Sequence, residues 1–553
     1  MATAIPATVG GTPVLILKEG STRTRGREAQ RNNLNAAITL AEIVRSSLGP
    51  RGMDKMLVDS LGDVTITNDG ATILKEMEIE HPAAKMMVEV AKSTDVEAGD
   101  GTTSAVVLAG ELLKKAEELL DMDVHPTIIV DGYRRATSMA LQFLKEIAQE
   151  VKPTDRETLK LIAMTALRSK VVREYSDQLA EIAVDAILKV AREENGKYNV
   201  RLDDVKVEKK AGGSVMETKL VNGIVLDKEI VHSGMPRKIV NAKIAILNSP
   251  LEIEKTEFDA KISIERPEQI KAFLDEEQKI LKEMVDKIVE AGANVVLCQK
   301  GIDDIAQHYL AKAGVIAVRR VKESDIEKAS KATGARIVTS VNELTKDDLG
   351  YAGLVEERKV GEDKWVFIEQ CKDPRSVTIL IRGGTEKMVD EADRALHDAL
   401  CVVKDVVTYP YIVAGAGSPE IEVAMRIRKK AETIAGKEQL AVLRFAEALE
   451  SIPSALAENA GMDPIDIIAE LRKQHEAGSK WYGIDIVSKK TSDSWAAKVI
   501  EPLLVKEQIV KSASEAASMI LRIDDVIAAG KLKEKGPPKP PSEEGGAGAG
   551  ELD

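Results

Sequence analysis

The 553-residue sequence predicts a multidomain protein of mixed α and α/β class, with an α/β middle nested inside helical outer segments. At roughly 150 residues per domain, the length suffices for three or four domains. Apolar residues recur at helical spacing toward both ends, whereas the middle alternates short apolar runs with helices. The resulting order of helical, mixed, α/β, mixed and helical segments is what an insertion into an outer helical domain produces.

Residues 27–150 read as mainly helical, because Ala83 to Lys92 and Ala105 to Leu120 place apolar residues at helical spacing. Pro126 marks a break, since a proline cannot continue the helix before it. Residues 150–200 are again amphipathic and helical. From Val205 the pattern changes: Val205-Lys-Val-Glu-Lys alternates, Gly212-Gly213 turns, and Gly223-Ile-Val-Leu is a short strand. Between about 222 and 374, apolar strands are expected at Ala242 to Leu247, Asn294 to Cys298, Val315 to Val318 and Arg336 to Val338, with helices between most of them. A charged stretch from Leu251 to Pro267 leads into a helix carrying Ile270, Phe273, Leu274, Leu281, Met284, Val285 and Ile288 along one side. Periodicity alone leaves that helix either a core element or an exposed, mobile one. After Val377-Thr-Ile-Leu-Ile, helix is expected to about Ala529 with Gly530 as its C-cap. The Pro- and Gly-rich tail beyond cannot pack a core and is expected to be disordered.

Composition excludes several functions. The balance of 78 basic and 91 acidic residues leaves −13, against the clustered positive charge that nucleic-acid binding needs. No apolar run approaches the roughly 20 residues of a membrane span. No charged residue precedes Lys18, so a signal peptide's basic leader region is missing. A cytoplasmic location is therefore expected. Cys298, Cys371 and Cys401 lie far apart, without CxxC or ligand-spaced histidines, and are expected to be small core residues.

No GxxxxGK[ST] phosphate loop is present, since each Gly-Lys pair is followed by Tyr198, Glu438 or Leu532. Three other Gly-rich segments bear on phosphate chemistry. Leu48 to Met56 must turn sharply at Gly49-Pro50. Gly99-Asp-Gly-Thr-Thr-Ser104 opens straight into a helix, where free backbone N–H groups and the helix dipole favour phosphate. Asp100 there is suited to Mg²⁺, which uses one or two carboxylates plus substrate phosphates. Val413 to Pro419 again leads into a helix. Taken singly, each segment is a weak signal, and Gly-Asp-Gly-Thr-Thr also reads as an N-cap that binds nothing.

Taken together and in order, LGPRGMDKM (48–56), VTITNDGATIL (64–74), GDGTTSAVVLAGELL (99–113) and HPTIIVDGYRRA (125–136) resemble the signature segments of group II chaperonins. HSGMP (232–236), HDAL (397–400) and WYGID (481–485) add to the resemblance. It runs from about residue 15 to 530 and is nearer to archaeal thermosome subunits than to a single eukaryotic subunit.

The resemblance implies a chaperonin fold with three domains. A helical equatorial ATP-binding domain takes 1–154 and 406–553, with 530–553 a disordered tail. A small α/β intermediate hinge domain takes 155–221 and 375–405. An α/β apical substrate-binding domain takes 222–374, with a helical lid protrusion at about 251–285. The implied function is that of an ATP-dependent chaperone and ATP hydrolase. It encloses non-native protein in a homo- or hetero-oligomeric double ring of about 16 or 18 subunits, with Mg-ATP hydrolysis closing a built-in lid. By that pattern Ser47, Leu48, Gly49 and Pro50 contact ATP, Asp100 ligates Mg²⁺, and Gly101, Thr102, Thr103 and Ser104 wrap the phosphates. Asp69 and Asp398 orient and activate the attacking water, and Lys170 senses the γ-phosphate. Gly415 belongs to the third Gly-rich loop at the nucleotide, Gly483 and Glu501 to the adenine and ribose positions. Phe273 and Leu274 are the implied client-binding residues.

The sequence departs from the family pattern at Ala416, where a third glycine is usual, at Arg51 for lysine, and at Ser46-Ser47 for a threonine pair. Neither nucleic acid nor membrane is an expected partner. Two rivals are a small-molecule phosphotransferase, which would need a second substrate pocket, and a ring-forming holdase or scaffold with vestigial ATP turnover.

Overall fold

The computed structural model describes residues 6–9, 12–15, 22–253, 267–372 and 374–528. The charged part of the expected lid protrusion, 254–266, and the expected disordered tail, 530–553, lie outside the described residues.

The outer part of the molecule is a helical body drawn from both ends of the chain. Helices Gly26–Arg45, Pro82–Ala98, Thr102–Asp121 and Pro126–Ile147 pack with Ser418–Ala431, Lys437–Leu449 and Leu503–Leu521. Their boundaries follow from local chemistry. His81 and His125 cap two N-termini, Nδ1 accepting from the N–H of Ala83 and Thr127, and Pro82 and Pro126 occupy first-turn positions where no N–H is needed. Pro126 thus begins a helix, the one before it having already stopped at Asp121 with Met122 as its C-cap. Gly110, deep in its helix, lets the first helix approach so closely that a Cβ there would lie 2.2 Å from Ala41 Cβ.

Helices Ser176–Val190 and Glu386–Thr408 pack on a three-stranded sheet, with Arg156–Arg168 packed against those two helices. Its central strand Val377–Gly383 runs parallel to Val205–Ala211 and antiparallel to Lys219–Val221. The chain therefore leaves this sheet and re-enters it beside its own exit. The described residues between supply three α-helices, Pro267–Glu290, Asp304–Lys312 and Glu323–Thr333, and a seven-stranded mixed sheet. Its order is Gly223–Leu226, Asp363–Glu369, Gly350–Val360, Lys238–Leu247, Val295–Cys298 and Ile316–Val318, with Ile337–Val338 also on Lys238–Leu247. One apolar core spans residues 34–215 and 377–521, and a second is confined to 224–371. Each fully buried Leu or Ile contributes about 2 kcal/mol.

Several expectations need correction. The chain is not helical from 377 to 529: strands lie at Tyr411–Ala414, Tyr482–Asp485, Lys490–Asp493, Ile500–Pro502 and Asp525–Ala528. The last long helix stops at Leu521 with Arg522 as its C-cap, and Gly530, the expected cap, lies outside the described residues. Asp525–Ala528 pairs with Thr22–Arg25 at the other end of the chain, a partner no local pattern announces. The mainly helical reading of 27–150 also hides a hairpin, Lys55–Val58 with Val64–Thr67.

The ambiguous helix, Pro267–Glu290, divides along its length between exposed apolar residues and core ones. Phe273 and Leu274 are 43% and 49% exposed, whereas Leu281, Val285 and Ile288 are buried in the sheet's core. All three cysteines are buried thiols. Among the described residues no helix is long and apolar enough to cross a membrane.

Candidate active site

A cavity of about 410 Å³ opens where the Gly-rich segments converge. Each segment has a distinct reason to be there. Beyond helix Gly26–Arg45, Ser47 Oγ donates to the carbonyl of Val44, and Asn459 Nδ2 donates to the carbonyls of Arg45 and Leu48, pinning the turn. Gly49 has φ +82°, and a Cβ on it would strike Leu456 at 2.3 Å. The second segment ends one helix and begins the next. Gly99, at φ +66°, closes Pro82–Ala98, and Gly101, at φ +80°, opens Thr102–Asp121 with no side-chain cap. Its first-turn amides are thus left for a ligand. The third segment repeats the device: Ala416 (φ +58°) and Gly417 (φ +80°) precede the uncapped start of Ser418–Ala431.

Ser47, Leu48, Gly49, Pro50, Asp100, Gly101, Thr102, Thr103, Ser104, Lys170 and Glu501 all line this cavity. Leu48, Ile452, Leu456, Ile484 and Ile509 give it an apolar wall. Gly415 and Gly483 stand just behind the lining. A Cβ at Gly415 would lie 2.5 Å from Glu501 Oε1, and one at Gly483 would lie 2.8 Å from the Ala416 carbonyl. Their bareness lets the third loop pack onto Glu501 and the Tyr482–Asp485 strand. The carbonyl of Ala416 accepts the N–H of Ile484 at 3.0 Å across that contact.

Asp69 and Asp398 lie on either side of Lys170. Asp69 caps the helix Gly70–Glu76, its Oδ2 accepting from the N–H of Thr72 at 2.8 Å and its Oδ1 from Thr102 Oγ1 at 3.2 Å. Asp398 projects from helix Glu386–Thr408. Lys170 Nζ is 2.7 Å from Asp398 Oδ2 and 3.8 Å from Asp69 Oδ1, all three groups being buried or nearly so. Burial drives the Asp398 carboxyl well above the usual carboxylate range, Asp69 and Asp100 adding to the rise that Lys170 opposes. Burial also pushes Asp69 up, but Lys170 and the Thr72 and Thr102 hydrogen bonds together hold it below that range. For Lys170, burial is outweighed by Asp398, Asp69 and Asp100, so its ammonium is held more firmly than usual. Two carboxyls with diverging proton affinities flank one cation, an arrangement suited to orienting and deprotonating water. Asp100 uses Oδ1 to accept from the N–H of Gly101 at 2.6 Å, so its other oxygen suits a hard cation.

A family model described as the TCP-1/cpn60 chaperonin family matches residues 40–531. The chain belongs to that family. This chaperonin is 61% identical to thermosome subunit alpha of Archaeoglobus fulgidus, over 96% of this chain and 98% of the relative. It is 58% identical to a thermosome subunit of Pyrococcus horikoshii, over 99% and 100% of the two chains. Its structure is similar to the open-state monomer of a group II chaperonin from Methanococcoides burtonii. The TM-score is 0.58 at 46% identity, covering 77% of this chain and all of the other. Group II chaperonins are ATP-dependent chaperones, and the fold class read from the motifs is the one observed.

Sequence reasoning missed some residues of this chaperonin's cavity. Asn68 sits inside TNDG, and its Nδ2 donates to the carbonyl of Ser169, tying that motif to the Lys170 turn. Lys506 lines the cavity and pairs with Glu501 and with Glu420. Its spacing of five from Glu501 is suggestive only in retrospect, and the approach of Glu420 from a separate helix leaves no mark in the sequence.

Proposed function

We propose that this chaperonin chain is an ATP-hydrolysing subunit of a cytoplasmic double ring that folds non-native proteins. The supporting observation is the meeting of Lys170, Asp398 and Asp69 beside a cavity that two uncapped helix N-termini face. The phosphates of ATP take the first-turn amides and hydroxyls of Thr102, Thr103 and Ser104. Asp100 would hold Mg²⁺, whose charge offsets that of the phosphate oxygens when bound. Asp69, pinned as an anion, orients the attacking water, and Asp398, the more basic carboxylate, accepts its proton. Lys170 lines the same cavity, so a lysine that leans toward a bound phosphate would leave Asp398 free to act.

The domain division belongs to this proposal: equatorial 1–154 and 406–553, intermediate 155–221 and 375–405, apical 222–374. On it, Asp398 reaches the nucleotide from the intermediate domain, and turnover is coupled to how that domain sits on the equatorial one. Phe273 and Leu274, exposed on one helix, offer non-directional apolar burial to unfolded chains.

Phosphate release by the purified protein tests the chemistry. Asp398→Ala is expected to lower ATP turnover by about 100-fold or more while changing ATP affinity only a few-fold. Equal turnover by parent and variant would remove Asp398 from the reaction and favour the holdase reading.

A further inference from the structure

The joint between the two sheets holds a buried lysine among more carboxylates than it can neutralise. The chain passes between the three-stranded and the seven-stranded sheet twice, at 221–223 and at 369–377. Lys206, on strand Val205–Ala211 of the smaller sheet, reaches across this joint. Its Nζ donates to the carbonyl of Val225 at 2.7 Å and lies 2.7 Å from Glu208 Oε1 and 2.8 Å from Asp325 Oδ1. An ammonium has three protons to donate, so all three are taken. Glu208 shares the strand of Lys206, whereas Val225 and Asp325 belong to strand Gly223–Leu226 and helix Glu323–Thr333 of the larger body. Asp227 completes the group: one oxygen each from Glu208, Asp227 and Asp325 lies within 4.8 Å of the other two. Asp227 Oδ1 is buried and accepts no hydrogen bond among the described residues. Thr378, also on the smaller sheet, donates its Oγ1 proton to the Gly223 carbonyl at 3.1 Å and accepts the N–H of Val225 at 3.2 Å. The ion pairs Lys331–Asp204 and Lys210–Asp363 cross the joint too, but they keep more exposure and solvent weakens them. The side chains of Lys206 and Asp325 are only 5% and 7% exposed.

We infer that Lys206 is a latch that holds the seven-stranded sheet in its seat on the three-stranded one, and that releasing it unseats the larger body. Turning that body away takes Val225 and Asp325 from the ammonium together and leaves it Glu208 alone. A buried cation with unfilled donors, facing a buried carboxylate without its cation, is far costlier than a gradual loss of contact. The joint therefore favours a seated or a parted arrangement over anything between. Charge gives the release its direction, because without the ammonium three carboxylates stand close enough to repel one another. Thr378 and the apolar contacts of Val225, Trp365 and Phe367 with Leu380 are neutral and supply no such switch. The latch thereby fixes where the exposed Phe273 and Leu274, on the larger body, stand relative to the helix that carries Asp398.

The test is a pulsed-EPR distance between spin labels on the two bodies of the whole protein, with and without Mg-ATP. Lys197→Cys and Lys312→Cys supply exposed attachment points, and the three native thiols are buried. Labelled chains are diluted into unlabelled chains of the same variant, so that only distances within one chain are read. The parent is expected to show the seated distance in at least one of the two conditions. In that condition K206M is expected to lower the ratio of seated to parted chains by about tenfold or more, since a charge-assisted bond is lost. D325N leaves Lys206 paired with Glu208 and is expected to shift the ratio the same way, by about threefold or more. A K206M chain that keeps the parental ratio overturns the inference, as does a parent with no seated distance in either condition. A featureless K206M distribution means that the larger body has unfolded, and D325N then decides: a parental ratio there overturns the inference.

Discussion

Asp405 lies two turns beyond Asp398 on the same helix, fully buried, with neither carboxylate oxygen in a hydrogen bond among the described residues. Lys404 Nζ stands 3.5 Å from its Oδ1. Burial, opposed by Lys404 and reinforced by Asp100 and Glu97, pushes its pKa up to about 7. The fold thus favours the protonated form, whereas the unfolded chain loses that proton near pH 4. Stability from this group is complete below the unfolded pKa, declines as pH rises toward 7, and is gone above it. Asp405→Asn is therefore expected to raise the thermal midpoint, with a gain that grows from pH 5 to pH 8 and amounts to a few kcal/mol at most. An equal gain at both pH values would remove titration as the cause. This residue also marks a limit of sequence reading. Asp398 and Asp405 are both carboxylates within helical apolar runs, and only the His-Asp motif singles out the first.

Helices were legible as elements because their apolar period and their stop signals are local. His125-Pro126 and Gly99 mark boundaries that the structure keeps. The phosphate-facing loops were legible for the same reason, since Gly, Asp and Thr at a helix start define a chemistry within six residues. Strands of three or four residues were not, because their stability comes from partners far along the chain. Ile500–Pro502 is a strand only because Tyr411–Ala414 lies beside it. The closeness of helix pairs was equally invisible. Gly110 looks like a helix weakener worth about 1 kcal/mol against alanine, yet it sets the spacing between Gly26–Arg45 and Thr102–Asp121. Gly110→Ala should cost about 1–3 kcal/mol by overpacking against Ala41, in spite of the better helix propensity. Moving the methyl across the interface, as in A41G/G110A, should recover much of that loss. Chemical denaturation of the four members of this double-mutant cycle measures the coupling. Additive effects would show that the contact does not control the helix spacing.

At the scale of the molecule, two elements make sense only if this chain has neighbours. The hairpin Lys55–Val58 with Val64–Thr67, and the pair Thr22–Arg25 with Asp525–Ala528, are each two-stranded sheets to which no further strand pairs among the described residues. Such sheets are marginal alone and invite further strands. The hairpin also carries its apolar residues outward: Met56, Val58 and Leu61 are 66%, 63% and 88% exposed, beside the likewise exposed Met53. A monomer has no use for that surface, whereas a closed ring of copies would bury it in every subunit. Light scattering on the native protein is expected to give about 960 kDa for sixteen copies of the 60.0 kDa chain, or about 1,080 kDa for eighteen. Met56→Glu with Val58→Glu places two charges on the apolar face while leaving the helical body untouched. That variant is expected to shift toward the single-chain mass and yet retain the parent's ATP affinity, because the cavity is lined from within one chain. A parent that stays at 60.0 kDa with and without Mg-ATP would defeat the ring of identical copies. A variant that still assembles fully would acquit the hairpin and move the contact elsewhere on the surface.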